Sequence, residues 1–320
     1  ECSAGRSASV GEFVGWEECE VVYYPVLISG VMFHTDEPAM SRKHISERIA
    51  ELDALHDHQE ILYLLNCHVF PWDIERALEF ALFRTYAVPS ISEKLAATGE
   101  LTKRPRKRYD DTEIIMYTLT EYGYDSERGR RALRRMNQMH NRFPIQNHEL
   151  LYVLTTFIYE PIRWIERFGY RPLTEQEKLS FFYFYCEVGK RMNIKDIPED
   201  YHEFEQFNIN YEEEHFRYAD SNRQVGEVTC DLFLGMYLPK FLYPLGRPVL
   251  YAAMDDPLLH AFGFPKPSAL MRGLVRRLLR LRARLLRLVP ERREPLLGTK
   301  RKRPTYPEGY QLEEVGTFRE

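Results

Sequence analysis

A single histidine set among methionines, phenylalanine and arginines raises the question of metal ligation. His140 lies in RRMNQMHNRF, residues 134–143, and Ala132, Met136, Met139, His140 and Phe143 recur there at spacings of three and four. On a helix those positions share one face, so the histidine sits on an apolar stripe. Arg130, Arg131, Arg134, Arg135 and Arg142 take much of the remaining circumference, as a solvated face would. The pattern alone favours a core histidine with one ring nitrogen bonded to a carbonyl. It also suits an axial ligand to haem, because iron takes a neutral imidazole nitrogen, a porphyrin needs an apolar slot, and its propionates want cations nearby.

Upstream, RYDDT offers Arg108, Asp110, Asp111 and Thr112. Asp110 or Asp111 is a natural helix N-cap with Thr112 in the first turn, and one aspartate can cap while the other faces a pocket. Arg108 closes the basic run KRPRKR, which reads as a solvated face. In YEEEHF, Glu212 and His215 are spaced i, i+3 as in di-iron carboxylate sites. Such sites need a second pair and two more glutamates, and the nearest match, Asp53 with His56, has the wrong acid, so solvated charge is the better reading. HDHQE, residues 56–60, likewise reads as an exposed helix face. No Gly-rich phosphate loop, nucleophile elbow or HExxH motif occurs, which removes positive support for hydrolase and dinucleotide chemistry.

The elements that must position these residues are helical. Period-3.6 patterns with recognisable stops run from residue 41 to 290: SRKHISERIAELDALHDHQEILYLLN, then a segment ending before Pro89, then DDTEIIMYTLTEYG. A helix over 125–143 follows, then one after Asn147 with Pro161 inside it, and one opened by the capping box Thr174/Glu177. Further helices are expected near 199–218, 222–238 and 268–289. The sequence therefore predicts an all-α, single multi-helix domain over 41–290, an N-terminal extension over 1–40, and a Pro/Lys/Arg-rich C-terminal tail over 291–320.

A net charge of −4 with pI near 6.3 supplies no basic footprint for nucleic acid. The five cysteines are scattered and form no CxxC, which argues against a disulfide framework or covalently attached haem and suits a cytoplasmic or membrane-peripheral location. VVYYPVLISGVMF, residues 21–33, is too short to span a bilayer, and a start at Glu1 leaves room for a removed N-terminal targeting signal. The last helix carries seven arginines between Arg272 and Arg287, no acid, and a set of leucines. It fits a peripheral membrane contact, leucines in the interface and arginines among headgroups, about as well as leucines packed inward with arginines in water.

Taken together, FALFRTYAVPSIS, RYDDT, RRMNQMHNRF, LLYVLTTFIYEPIRWIERFGYRPLTEQE, VGKRMNIKDIPEDY and RPTYPEGYQLEEVG resemble the MpaB-type oxygenase family, over roughly residues 45–315. That family includes the rubber oxygenases, or latex clearing proteins, and fungal endoplasmic-reticulum-bound oxygenases of meroterpenoid biosynthesis. The resemblance implies a b-type haem in a helical fold with a globin-like core, and oxidation or cleavage of a carbon–carbon double bond of a lipophilic substrate by dioxygen. The family's proximal histidine falls on His140, with Met136 on the same cofactor face. Its Arg-x-x-x-Thr signature falls on Arg108 and Thr112. In the rubber oxygenases a lysine directly precedes that threonine and serves as distal ligand or base; here the position is Asp111, a carboxylate that cannot donate a cationic hydrogen bond while ionised. The expectation is that Asp111 accepts a proton or orients a distal water, and that Arg108 steadies iron-bound oxygen or a propionate. The rival expectation is a non-catalytic haem or lipid carrier at a membrane surface.

Overall fold

The computed structural model describes residues 42–289, 292 and 294–316. The N-terminal extension 1–40, with the 21–33 segment, the Ser41 cap, Cys2 and Cys19, lies outside the described residues. Within them the chain is all α-helical and contains no strand. In order come α1 (Arg42–Glu51), α2 (His58–Leu64), α3 (Pro71–Tyr86), α4 (Pro89–Thr98), α5 (Glu100–Lys103), α6 (Pro105–Tyr122) and α7 (Glu127–His140). They are followed by α8 (Asn147–Phe168), α9 (Glu175–Arg191), α10 (Tyr201–His215), α11 (Asp220–Gly235), α12 (Tyr243–Ala253), α13 (Asp256–Phe262) and α14 (Ala269–Leu286).

Local chemistry sets most boundaries. Pro71, Pro89 and Pro105 each occupy the first turn of a helix, where the missing N–H costs nothing. Ahead of Pro89, Val88 is extended. The Thr174/Glu177 capping box opens α9 as expected, while α8 is capped by Gln146 with Glu149, one residue before the expected Asn147. The long helix expected from residue 41 is broken in two. Asp53 Oδ1 accepts from the N–H groups of Leu55 and His56, and Asp57 Oδ2 from that of Asp53, so side-chain acceptors displace the helical ladder there. At the other end α2 passes into one π-helical turn, Leu65–Val69.

The core is built on α3 against α8, with α2 and α9 packed beside them. α8 is buried on nearly all sides, from Leu151 and Tyr152 to Ile165 and Phe168. A second cluster, around Phe83, Phe233, Leu259 and Phe262, joins α3 to α11 and α13. Where these meet, Arg84 is buried: its Nε donates to Glu212 at 2.7 Å, its Nη1 to Asp255 at 2.7 Å, and Glu160 lies 3.3 Å away. Tyr152 donates to the same Glu212 at 3.1 Å. Glu212 is thus neither a solvated charge nor half of a metal pair with His215, whose Nδ1 meets the Tyr211 carbonyl. HDHQE is also corrected, since His58 is buried between the Leu55 carbonyl at 2.8 Å and the Tyr124 hydroxyl at 2.5 Å.

Beyond α14 the tail is a strap laid across α6 and α7. Arg303 (2% exposed), Leu312 and Val315 are buried in it. Gly298 approaches Tyr117 so closely that a Cβ would sit 2.3 Å from the ring, so only glycine lets the strap lie flat. Arg301 meets Glu75 at 2.6 Å, Arg303 meets Glu113 at 3.1 Å, and Arg131 meets Glu313 at 2.7 Å.

Candidate functional site

α6 and α7 form a helical hairpin joined by residues 123–126, a connection short enough to require an antiparallel return. Ser126 caps α7 by accepting from the Gly129 N–H at 2.9 Å. Gly129 also lets the hairpin close, because a Cβ there would fall 1.9 Å from the Gly123 carbonyl oxygen. In such a hairpin, positions equidistant from the turn face each other. Arg108 therefore comes within one residue of level with His140, the last residue of α7, and its guanidinium is near enough to act on that imidazole.

His140 is partly accessible, yet its Nδ1 is buried and has no hydrogen-bond partner. Burial, and then the neighbouring Arg108 guanidinium, pull its pKa down to about 4. The imidazole is therefore neutral at physiological pH, the form that binds a metal. Arg108 donates to the Thr112 hydroxyl, which itself donates to the Arg108 carbonyl at 3.0 Å, so Thr112 fixes the guanidinium one turn before it. Arg108 makes no salt bridge among the described residues and is free to take an anionic group.

Two cavities lie on the Arg108 and Thr112 side of this corner, and His140 lines neither. The larger, about 520 Å³ including its mouth, is lined by Leu78, Leu82, Met116, Phe157 and Tyr185, with Glu75, Glu79 and Glu113 in its wall. The smaller, about 240 Å³, is lined by Arg108, Tyr86, Leu101, Thr229 and Phe233. Leu82, Tyr109 and Thr112 belong to both and form the partition between them. The wall carboxylates do not behave alike. Burial pushes Glu79 up to about 8 against the opposing pull of Arg76, and burial raises Glu113 as well. At Glu75, Arg76 and Arg301 outweigh the effect of burial and hold the carboxyl below its ordinary value.

The structure thus brings Arg108, Thr112 and His140 to one corner. It does not bring Asp111 there. Asp110 and Asp111 are not helix caps, because α6 starts at Pro105 and places them in its second turn. Lys107 Nζ donates to both Asp111 oxygens, at 3.0 and 2.9 Å, and the Tyr306 hydroxyl donates to one of them. Asp110 accepts from Thr305 at 2.6 Å. Both aspartates therefore hold the strap. Met136 is buried in the main core and lines neither cavity. Among the described residues no three His, Cys, Asp or Glu side chains gather to hold a metal ion. Sequence reasoning missed Glu79 and Glu113. The available signal was an acid inside the apolar run ALEFALF, and another directly following RYDDT.

A prediction follows for the cofactor-free chain. The unfolded imidazole titrates near 6.5 and the folded one near 4, so on acidification the unfolded state takes up a proton that the folded state excludes. This contribution is intact above pH 6.5 and is lost as pH falls toward 4, by about 3 kcal/mol as an upper figure. Urea titrations at neutral and acid pH should show a smaller loss for His140→Gln than for wild type; equal losses would contradict the assignment.

Comparison with known proteins places the chain in a family. A family model described as the catalytic domain of ER-bound oxygenase mpaB/B′ and rubber oxygenase matches residues 79–286, well over half of the chain. A relative named ER-bound oxygenase mpaB′ from Penicillium brevicompactum is 30% identical over 217 residues, 62% of this chain and 51% of that protein. One named ER-bound oxygenase mpaB from Penicillium roqueforti (strain FM164) is 26% identical over 265 residues, 75% of this chain and 87% of that protein. The mpaB of Penicillium brevicompactum is 27% identical over 189 residues, 57% of this chain and 47% of that protein. The chain thus spans about half the length of two of these relatives. The matched segment holds both helices of the hairpin and most residues that line the two cavities, Asn66, Glu75 and Leu78 excepted, and by it the chain belongs to the mpaB/rubber-oxygenase catalytic-domain family.

Proposed function

We propose that this chain is a haem b-dependent oxygenase that uses dioxygen to oxidise or cleave a carbon–carbon double bond of a lipophilic, isoprenoid- or terpenoid-like substrate. The family and the names of its relatives support an oxygenase. The observation that carries the cofactor is His140: a neutral, partly accessible imidazole with an unpartnered buried nitrogen, beside an Arg108 free of carboxylates. His140 would hold the iron, Arg108 would meet a propionate or another anionic group, and Met136 would back the ligand helix from the core. The haem, when bound, supplies the oxygen chemistry.

The chain's own residues do the positioning. Thr112 orients Arg108, and the apolar walls admit an alkene and exclude water. We assign Asp111 to holding α6 against the strap rather than to proton transfer, since Lys107 and Tyr306 already engage its oxygens. An Asp111→Asn variant that loses turnover but keeps its fold and haem would restore the base role. A lipophilic substrate is reached from a membrane, and peripheral contact through Arg272–Arg287 belongs to the same reading.

Expressed with haem supply, the protein should show a Soret band, and His140→Ala should lose it while keeping its helical circular dichroism. A folded, colourless wild type would end the haem assignment. Oxygen uptake with a terpenoid alkene then separates an oxygenase from a haem or lipid carrier, which would bind without consuming oxygen.

A further inference from the structure

α14 has three faces, not two. Taking about 100° per residue, Val275, Leu279 and Ala283 fall on one side and pack on the domain. The leucines expected either in the interface or against the domain are found outside it. Leu270, Leu274, Leu278, Leu281 and Leu285, with Leu288 just past the helix, form one stripe about 80° wide, and each is between 49% and 82% exposed. Beside this stripe lies a second one, Arg276, Arg277, Arg280 and Arg284, exposed and without an acidic partner among the described residues. The arginines nearer the domain differ: Arg282 pairs with Asp73 and Arg272 with Asp256. The apolar surface continues on α12, which packs against α14 and exposes Phe241 at its head (78%), Leu245 (72%) and Val249.

We infer that α14, with the adjoining stripe of α12, is a docking face for the surface of an anionic lipid bilayer. The leucines lie at acyl-chain depth and the arginines among acidic headgroups. No described helix is long and apolar enough to cross a membrane, and α14, with six arginines and Arg287 at its cap, is built to lie on one. Charge selects the occupant. A second copy on this face would bring two sets of unpaired arginines to one contact with no acid on either helix, whereas acidic headgroups neutralise them. The apolar stripe adds area that a purely electrostatic contact would not need.

This inference rests on the membrane-contact part of the proposed function and not on the cofactor. The full chain should co-sediment with vesicles of phosphatidylcholine mixed with phosphatidylserine, more strongly than with phosphatidylcholine alone, and less as salt rises. Replacing Arg277, Arg280 and Arg284 together by Gln should weaken binding to the mixed vesicles roughly a hundredfold. L274D with L281D, at positions about half exposed, should leave the protein in the supernatant with either vesicle. Both variants should keep wild-type circular dichroism and take up haem as wild type does. Vesicle binding by a protein that takes up no haem would sink the cofactor reading and keep this one. Wild type unbound by the mixed vesicles, leucine variants that bind as well as wild type, or a wild-type dimer that the leucine variants dissociate, would each overturn it.

Discussion

Replacing Arg84 by alanine is expected to destabilise the fold by about 3–5 kcal/mol, or to abolish a cooperative urea transition altogether. Arg84 is 9% exposed and its guanidinium holds carboxylates from three other helices or their caps: Glu160 on α8, Glu212 on α10 and Asp255 ahead of α13. Removing it leaves three acids facing one another at the junction of the two core clusters, two of them no more than 8% exposed. Arg163 stands 3.5 Å from Glu160 and Asp255 is partly exposed, so the uncompensated burial falls chiefly on Glu212. Glu212→Gln is the control. It keeps the shape, keeps the Tyr152 contact and leaves Arg84 two carboxylates, so a loss of only about 1–2 kcal/mol is expected. Arg84→Ala costing less than Glu212→Gln would show that the carboxylates rehydrate freely and that Arg84 is not the link.

The same residue shows what was legible in the sequence. FRTYAVPS announces a helix end through Pro89, because proline acts on its immediate neighbour, and the end is where expected. Nothing local says that Arg84 is a core residue, since its partners lie 76, 128 and 171 positions away. Period, caps and proline stops gave α3, α7, α9 and α14 within a few residues, because each is decided within one or two turns. α4, α5, α12 and α13 escaped. α12 holds Pro248 inside and exposes much of its apolar surface, so its pattern does not separate an inward face from an outward one.

The site was legible to the extent that it is local. Arg108 and Thr112 are four apart on one helix, and His140 stands within one residue as far beyond the hairpin turn as Arg108 stands before it, so spacing alone could bring all three together. Asp111 was misplaced because the angular step from Thr112, about 100°, turns it out of the cavities and toward a strap nearly two hundred residues later. The leucines of α14 were ambiguous for the opposite reason. An amphipathic wheel ranks faces by hydrophobicity, and here the packing face is a narrow third sector that includes an arginine tied to Asp73.

Ending the chain after Leu297 is expected to release the hairpin that carries Arg108 and His140. The strap buries Leu312, Val315 and Arg303 and partly buries Tyr306 and Tyr310 against it. At about 1.5–3 kcal/mol for each fully buried large apolar side chain, the loss should exceed about 3 kcal/mol, and amide exchange in α6 and α7 should quicken by roughly a hundredfold. Cavity electrostatics change with it. Glu75 and Glu113 lose Arg301 and Arg303, leaving Arg76 as the cation nearest three wall carboxylates. Tyr306→Phe, which removes one hydroxyl from Asp111 and Lys107, should cost only about 1 kcal/mol and leave exchange elsewhere in α7 unchanged. Because His140 is the last residue of α7, haem uptake should fall with truncation and survive Tyr306→Phe. A truncated chain with wild-type exchange in α6 and α7 would mean that the hairpin stands without its strap, and that Asp110 and Asp111 are held by Arg106 and Lys107 alone.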